Sequence, residues 1–211
     1  SADQAIDIAL RCEQAGRDRD PRISNSDGAS LSSGRSLSVY ANSHGFIGRE
    51  HGSSHSLSCA LIAGRDEAMQ RDYWYTASCH PDELQDAASV GRRAAERAIA
   101  RLQPGAVQTG RYPVLFAPEV ARSLFGHLLS AVSGGALYRR ASFLLDSMGR
   151  QVLPDWLSLQ ERPLLRRGQR SAAFDAEGVA TCDSDLVREG GLTRYVLGSY
   201  SARKLGLQST G

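Results

Sequence analysis

Residues His55–Ala63 alternate strictly. Leu57, Cys59, Leu61 and Ala63 fall on one side of an extended chain, and Ser56, Ser58, Ala60 and Ile62 on the other. A period of two fits a half-buried strand and no helix. The aromatic run Tyr73-Trp74-Tyr75 predicts a second strand over Asp72–Cys79, because bulky flat side chains suit a pleated surface. Leu37–Ala41 and Phe46–Ile47 read as strands around the turn Asn42-Ser43-His44-Gly45. Ile23–Ser33, rich in Ser, Asn and Gly, reads as loop or short edge strand. The whole predicts an antiparallel meander of three to five strands.

Helices flank this meander. Asp3–Arg17 places Ala5, Ile6, Ala9, Leu10 and Cys12 at helical spacing, and Asp18-Arg19-Asp20-Pro21 ends it. A long helix is expected from His80-Pro81-Asp82-Glu83 to about Leu102, with a mostly small apolar stripe of Leu84, Ala88, Ala95, Ile99 and Leu102. Gln103-Pro104-Gly105 stops it. A boundary follows. Residues 1–105 form an N-terminal α+β region, Ala106–Arg111 a linker, and 106–211 the start of a β-rich domain. The fold class is α+β, with antiparallel sheets and packed helices in two regions.

In the second region Pro113–Ala117 reads as a buried strand and Glu119–Val132 as a helix opened by Pro118. Phe143–Leu145 and Val152–Leu153 read as short strands, and Trp156–Gln169 as irregular. Val179–Cys182 is expected as a strand with Asp183-Ser184-Asp185 as its turn. Leu186–Arg188 and Leu192–Tyr200 would flank a hairpin loop at Glu189-Gly190-Gly191. Asp175 and Glu177 stand two apart, so an extended chain points both carboxylates to one face, and Gly178 relaxes the backbone beside them.

The net charge of +2 is too balanced to imply nucleic acid or an anionic membrane as partner. No apolar run approaches the roughly 20 residues that span a bilayer. Ser1–Gly16 is amphipathic and partly acidic, unlike a signal peptide. Cys12, Cys59, Cys79 and Cys182 lie far apart without a Cys-x-x-Cys pair, so free thiols are expected. The glycines form neither a P-loop nor a dinucleotide fingerprint. The serines at 53–58 lack a Ser–His–Asp arrangement, and His51-x-x-x-His55 would chelate only on a helix, which its glycines and serines oppose. His80 reads as a helix-entry residue. Arg203-Lys204, with Tyr195 and Tyr200, offers an acidic-group contact or a solvated face.

Several segments together resemble one family. Asp20–Ala29 (DPRISNSDGA), Met69–Tyr75 (MQRDYWY), Val90–Leu102 (VGRRAAERAIARL) and 109–144 agree in order with it, as do FDAEGVAT, LVREGGLTRYVLGSYSARKLG and the final STG. They look like the PmbA/TldD family, named for modulation of DNA gyrase, and more like its PmbA (TldE) branch. The resemblance implies a central fragment of a protein roughly twice as long.

The resemblance also carries chemistry. In the TldD branch a helix bears a His-Glu-x-x-x-His motif, where two histidines hold zinc and the glutamate acts as general base. The segment here reads Leu124-Phe125-Gly126-His127-Leu128-Leu129-Ser130-Ala131-Val132. If His127 stands in the first position, Leu128 replaces the glutamate and Val132 the second histidine. The resemblance therefore implies a chain with no metal or catalytic residue of its own. It would be a PmbA/TldE-like subunit of a cytoplasmic TldD/TldE zinc-dependent peptidase acting on unfolded or leader peptides, with zinc on a TldD-like partner, or in self-association. Asp175, Glu177, His127 and Arg203 are the candidate substrate-channel residues. From the residues alone, Asp175 and Glu177 could form an acid/base pair or bind a metal, or they could hold a turn through backbone amides or pair with an arginine such as Arg203. A different class of function is a non-enzymatic, protein-binding modulator of DNA gyrase, without direct nucleic-acid or membrane binding.

Overall fold

The structure, a computed structural model, describes residues 1–211. It divides into two compact units: Ser1–Leu37 with His51–Thr109, and Ser38–Glu50 with Gly110–Gly211. Antiparallel sheets and packed helices make both, as an α+β fold requires.

The first unit opens with helix α1 (Ala2–Arg17). Ser1 and Gln4 form a reciprocal capping box at its start, satisfying two backbone donors that a helix leaves orphaned. Strands β1 (Ile23–Ala41), β2 (Ile47–Ala63) and β3 (Gln70–Ser78) form a sheet in that order. The expected meander thus has three strands, and its first corrects the sequence reading. Ile23–Ser33 is no loop or short edge strand but part of a 19-residue strand. Its serines supply the reason it holds: Ser24 and Ser26 hydroxyls donate to the Ile62 and Ala60 carbonyls across the sheet. The alternation in β2 is borne out, since Leu57, Cys59, Leu61 and Ala63 are all buried.

The expected 80–102 helix is two elements. Pro81–Glu83 is a single 3-10 turn capped by the His80 imidazole, and helix α2 (Ala87–Ala100) begins only after Asp86, whose carboxylate accepts the Ser89 amide at 3.0 Å. Helix α2 buries Ala87, Val90, Gly91, Ala94, Ala95 and Ala98, and its small residues let α1 approach closely. A Cβ on Gly91 would overlap the Cys12 carbonyl oxygen, and one on Gly16 would sit 2.8 Å from the Gly91 oxygen. Leu57, Leu61, Cys12, Cys59 and Val90 close this core. Each fully buried leucine contributes about 1.5–3 kcal/mol of burial free energy.

The second unit holds helices α3 (Pro118–Ala131), α4 (Gly134–Tyr138) and α5 (Ser199–Leu205), and a sheet of β4 (Leu159–Glu161), β5 (Ser184–Arg188) and β6 (Gly191–Leu192) in that order. The 38–50 segment belongs here too, where Phe46 packs edge-on against Phe174 at 5.2 Å. The core is Val132, Leu137, Leu144, Leu186, Val187, Leu192, Tyr195, Leu197 and Ala202. Helix α3 stands where it was expected.

Several expected strands in this unit do not form. Pro113–Ala117 joins no sheet and leaves Leu115 99% exposed. Phe143–Leu145 turns instead of extending, held by the buried Tyr195 hydroxyl, which donates to the Leu144 carbonyl at 3.2 Å. Near Val152–Leu153 only Gln151 makes a bridge, to Gly191. Val179–Cys182 contributes a lone Phe174–Ala180 bridge, and Ser184 and Asp185, expected in a turn, already belong to β5. In the stretch expected to be irregular, Leu159–Glu161 forms β4. The hairpin at Glu189–Gly190 is real. Both residues have positive φ, 47° and 76°, the sense that a two-residue hairpin turn needs. After Leu192 the chain leaves the ladder; the expected strand over Leu192–Tyr200 does not form, and its last two residues open α5 (Ser199–Leu205).

Candidate functional site

The sequence-nominated residues all lie in the second unit. Asp175 is half-buried in a tight turn, and one of its oxygens accepts the amides of Glu177 at 2.9 Å and Val179 at 2.8 Å. Gly178 follows with φ of 81°, where a Cβ would press on the Phe46 and Tyr40 rings. The two carboxylates therefore do not share a face. Glu177 reaches instead to α5, accepting the Ser199 amide at 2.6 Å. It supplies the cap that α5 lacks from its own sequence, and places negative charge at the positive end of the helix. The turn-holding reading of these residues is what the geometry shows; the partner of Glu177 is a backbone amide rather than Arg203.

Arg203 is exposed in the last turn of α5, where a cation suits the helix dipole. Beside it Lys204 sits 5.6 Å over the Tyr200 ring, which packs edge-on against Tyr138.

His127 is exposed on α3. Leu128, the next residue, packs on the core, and Val132, just past the helix, is 0% exposed inside it. The three positions thus offer one imidazole turned to solvent and two aliphatic side chains turned inward. Zinc takes nitrogen, sulfur or carboxylate ligands, so this set does not fit it. Nowhere in either unit do three or more His, Cys, Asp or Glu side chains gather in a way that could hold a metal. His51 and His55 lie four residues apart along β2, about 13 Å at strand rise, and His55 is bonded to Ser33 at 2.9 Å.

The geometry exposes a feature that sequence reasoning missed. A slot of about 410 Å³ runs between α3 and the outer strand β4, lined by Phe125, Leu129, Leu159, Leu186 and Val196. Arg194 and Glu161 form an ion pair at its polar end. The Arg194 side chain is only 16% exposed, donates to the Thr210 carbonyl at 3.4 Å and leaves its buried Nε without a partner. Burial makes its guanidinium less basic than usual. Behind β4, Asp185 gathers Gln160 at 3.2 Å, Arg162 at 3.4 Å and both Nε and Nη2 of Arg188 at 3.0 and 2.8 Å. The bonds from Arg188 hold the Asp185 carboxyl below its usual range. Residues 161 and 194 are too far apart in sequence for any spacing to have signalled the pair. The slot can seat an apolar side chain beside an open strand edge, and it contains no nucleophile paired with a base.

Two family models match the chain: the PmbA/TldA metallopeptidase central domain over residues 1–102 and the C-terminal domain of the same family over 109–211. The chain belongs to the PmbA/TldD family. It is 47% identical over 211 residues to the metalloprotease PmbA of Escherichia coli O157:H7, covering all of this chain and 47% of that protein. It is 46% identical to a PmbA homolog of Haemophilus influenzae, covering 99% of this chain and 46% of the relative. A candidate modulator of DNA gyrase from Bacteroides thetaiotaomicron superposes on all of it with a TM-score of 0.93 at 29% identity, over 48% of that structure. The chain thus spans about half the length of the PmbA relatives it matches. No helix is long and apolar enough to cross a membrane.

Proposed function

We propose that this chain acts as a PmbA/TldE-type subunit of a cytoplasmic TldD/TldE zinc-dependent peptidase assembly, without zinc of its own. A TldD-like partner would hold the metal and activate water for attack on the peptide bond. This chain would complete the chamber that admits extended peptides. The observation that carries this reading is the inward packing of Leu128 and Val132 beside an exposed His127. Those two side chains stabilise the second core and can neither ligate zinc nor take a proton, which leaves His127 as a single imidazole where the motif needs three polar groups.

Within the chamber, Asp175 and Glu177 act by shaping the backbone, whereas His127 and Arg203 are exposed and free to meet substrate or partner. The slot beside β4 is the natural seat for an apolar substrate side chain, because an extended peptide there could also bond to the open strand edge. Peptidase assays on the chain, on a TldD-like protein and on their mixture test the reading. Turnover of an unfolded peptide that needs both proteins together supports it; metal-dependent turnover by this chain alone, or turnover by the TldD-like protein that this chain leaves unchanged, refutes it.

The likeness to the Bacteroides candidate modulator of DNA gyrase favours one other reading, a protein-binding modulator of DNA gyrase. Direct binding of purified gyrase by this chain, without any TldD-like protein, would select it.

A further inference from the structure

Two of the four cysteines meet inside the first unit. Cys12 lies on the buried face of α1, and Cys59 on the inward face of β2 between Leu57 and Leu61. They are 0% and 1% exposed and share one core with Val90, Ala94 and Ala95 of α2. The Cys59 thiol donates a hydrogen bond to the Cys12 sulfur, so the two sulfur atoms face each other. That bond and burial hold the proton on Cys59 and push its thiol well above the ordinary range. Accepting the same bond makes the Cys12 thiol the easier of the two to ionise. A single buried cysteine is only a small apolar side chain. Two in contact on different elements are also the two halves of a cross-link.

The packing selects the chemistry. At this crossing a Cβ on Gly91 would overlap the Cys12 carbonyl, and one on Gly16 would press on the Leu61 side chain. So tight a core has no room for a metal ion or a thiol adduct, whereas a disulfide removes two hydrogens and adds no atom. We infer that Cys12 and Cys59 form a redox switch, in which a small-molecule disulfide converts the dithiol into a covalent staple between α1 and β2. Local opening of α1 lets the Cys12 thiolate attack one sulfur of the reagent, whose S–S bond breaks and releases a first thiolate. The Cys59 sulfur then attacks the Cys12 sulfur of the mixed disulfide and expels the second. The protons shed by Cys12 and Cys59 end on the two released thiols, so the cysteines are oxidised and the reagent is reduced. The mixed disulfide is too large to repack, and the unit closes only as dithiol or as disulfide. The staple closes a loop of roughly fifty residues, long enough to restrict the unfolded chain strongly.

The test uses the whole 211-residue chain, equilibrated without denaturant in buffers of reduced and oxidised glutathione, then acid-quenched, unfolded, alkylated and digested. The expected product is a peptide pair linked through Cys12 and Cys59, lost again on treatment with dithiothreitol. The oxidised chain should unfold at a urea concentration higher by at least about 1 M than the reduced chain. Amide exchange within α1 should slow by about tenfold or more. Cys79→Ser with Cys182→Ser removes the two more accessible thiols and should leave these effects intact. Recovery of Cys12 and Cys59 as free thiols from the most oxidising buffer overturns the inference. So does glutathione retained on Cys12, or pairing of either residue with Cys79 or Cys182. A Cys12–Cys59 disulfide that leaves the urea midpoint unchanged or lowers it overturns it too, since a staple must fit the native core.

Discussion

The carboxylate of Glu177 accepts the backbone amide of Ser199, 22 residues further along the chain, at 2.6 Å. This one bond ties the turn at Asp175–Gly178 to the start of α5 and gives the acidic pair a structural task. Glu177→Ala should destabilise the second unit by about 0.5–2 kcal/mol, the range for losing a helix cap. Glu177→Gln, which still offers an oxygen, should cost less. In a mixed peptidase assay at low temperature, both variants should retain turnover. Loss of turnover by Glu177→Gln with the melting curve unchanged would instead make this carboxylate part of the chemistry.

The crossing of α1 and α2 gives a sharper stability prediction. In an exposed helix Gly→Ala gains about 1 kcal/mol from backbone entropy. Gly91→Ala should reverse that sign, because the added methyl meets the Cys12 carbonyl in a fully packed crossing. A net loss of at least about 2 kcal/mol is expected by denaturant unfolding. Gly126→Ala, on α3 with nothing within 4 Å of the added carbon, should stabilise by a few tenths to about 1 kcal/mol. Equal effects at the two sites would contradict the described packing.

These examples show what the chain made legible. The alternation at Leu57, Cys59, Leu61 and Ala63 had one physical solution, whereas the stripe expected on the 80–102 helix shares only Ala95 with the face that α2 buries. Helix α5 was hidden because its cap comes from Glu177, far upstream, and because seven residues hold too little periodicity to read. Tyr112–Ala117 failed in the opposite sense: its composition is that of a strand, but a strand exists only where a neighbour pairs with it. At the candidate site, the inward-facing Leu128 and Val132 lay within a legible helical stretch, whereas the Arg194–Glu161 pair arises from tertiary folding alone.

Acid should weaken the β4–β5 junction. The Asp185 carboxyl is depressed by its bonds to Arg188 and by the charge of Arg162. A depressed carboxylate contributes its full stability above the unfolded value of about 3.9, and that contribution is lost as pH falls through the folded value. Asp185→Asn should therefore lower stability at pH 7 and flatten the fall in stability below about pH 4. Thermal melts of both proteins between neutral and acid pH measure this. An unchanged acid limb in the variant would remove Asp185 from the account.

Building into this segment the His-Glu-x-x-x-His pattern that the resemblance implies for the TldD branch should fail. Val132→His places a polar ring in a fully buried aliphatic site, and Leu128→Glu places a carboxylate against the same core. Together they should cost several kcal/mol, by burying polar groups without partners. No gain of zinc affinity is expected by calorimetric titration. A stable double variant that binds zinc tightly would show that these positions converge on an accessible site after all.

The most direct test of the central claim is the zinc content per chain, by elemental analysis of this protein purified alone and in complex with a TldD-like protein. The account predicts no stoichiometric zinc on this chain alone and zinc in the mixed complex, carried by the partner. Stoichiometric zinc on this chain by itself would contradict it and move the search for ligands to His51, His55, His80, Asp175 and Glu177.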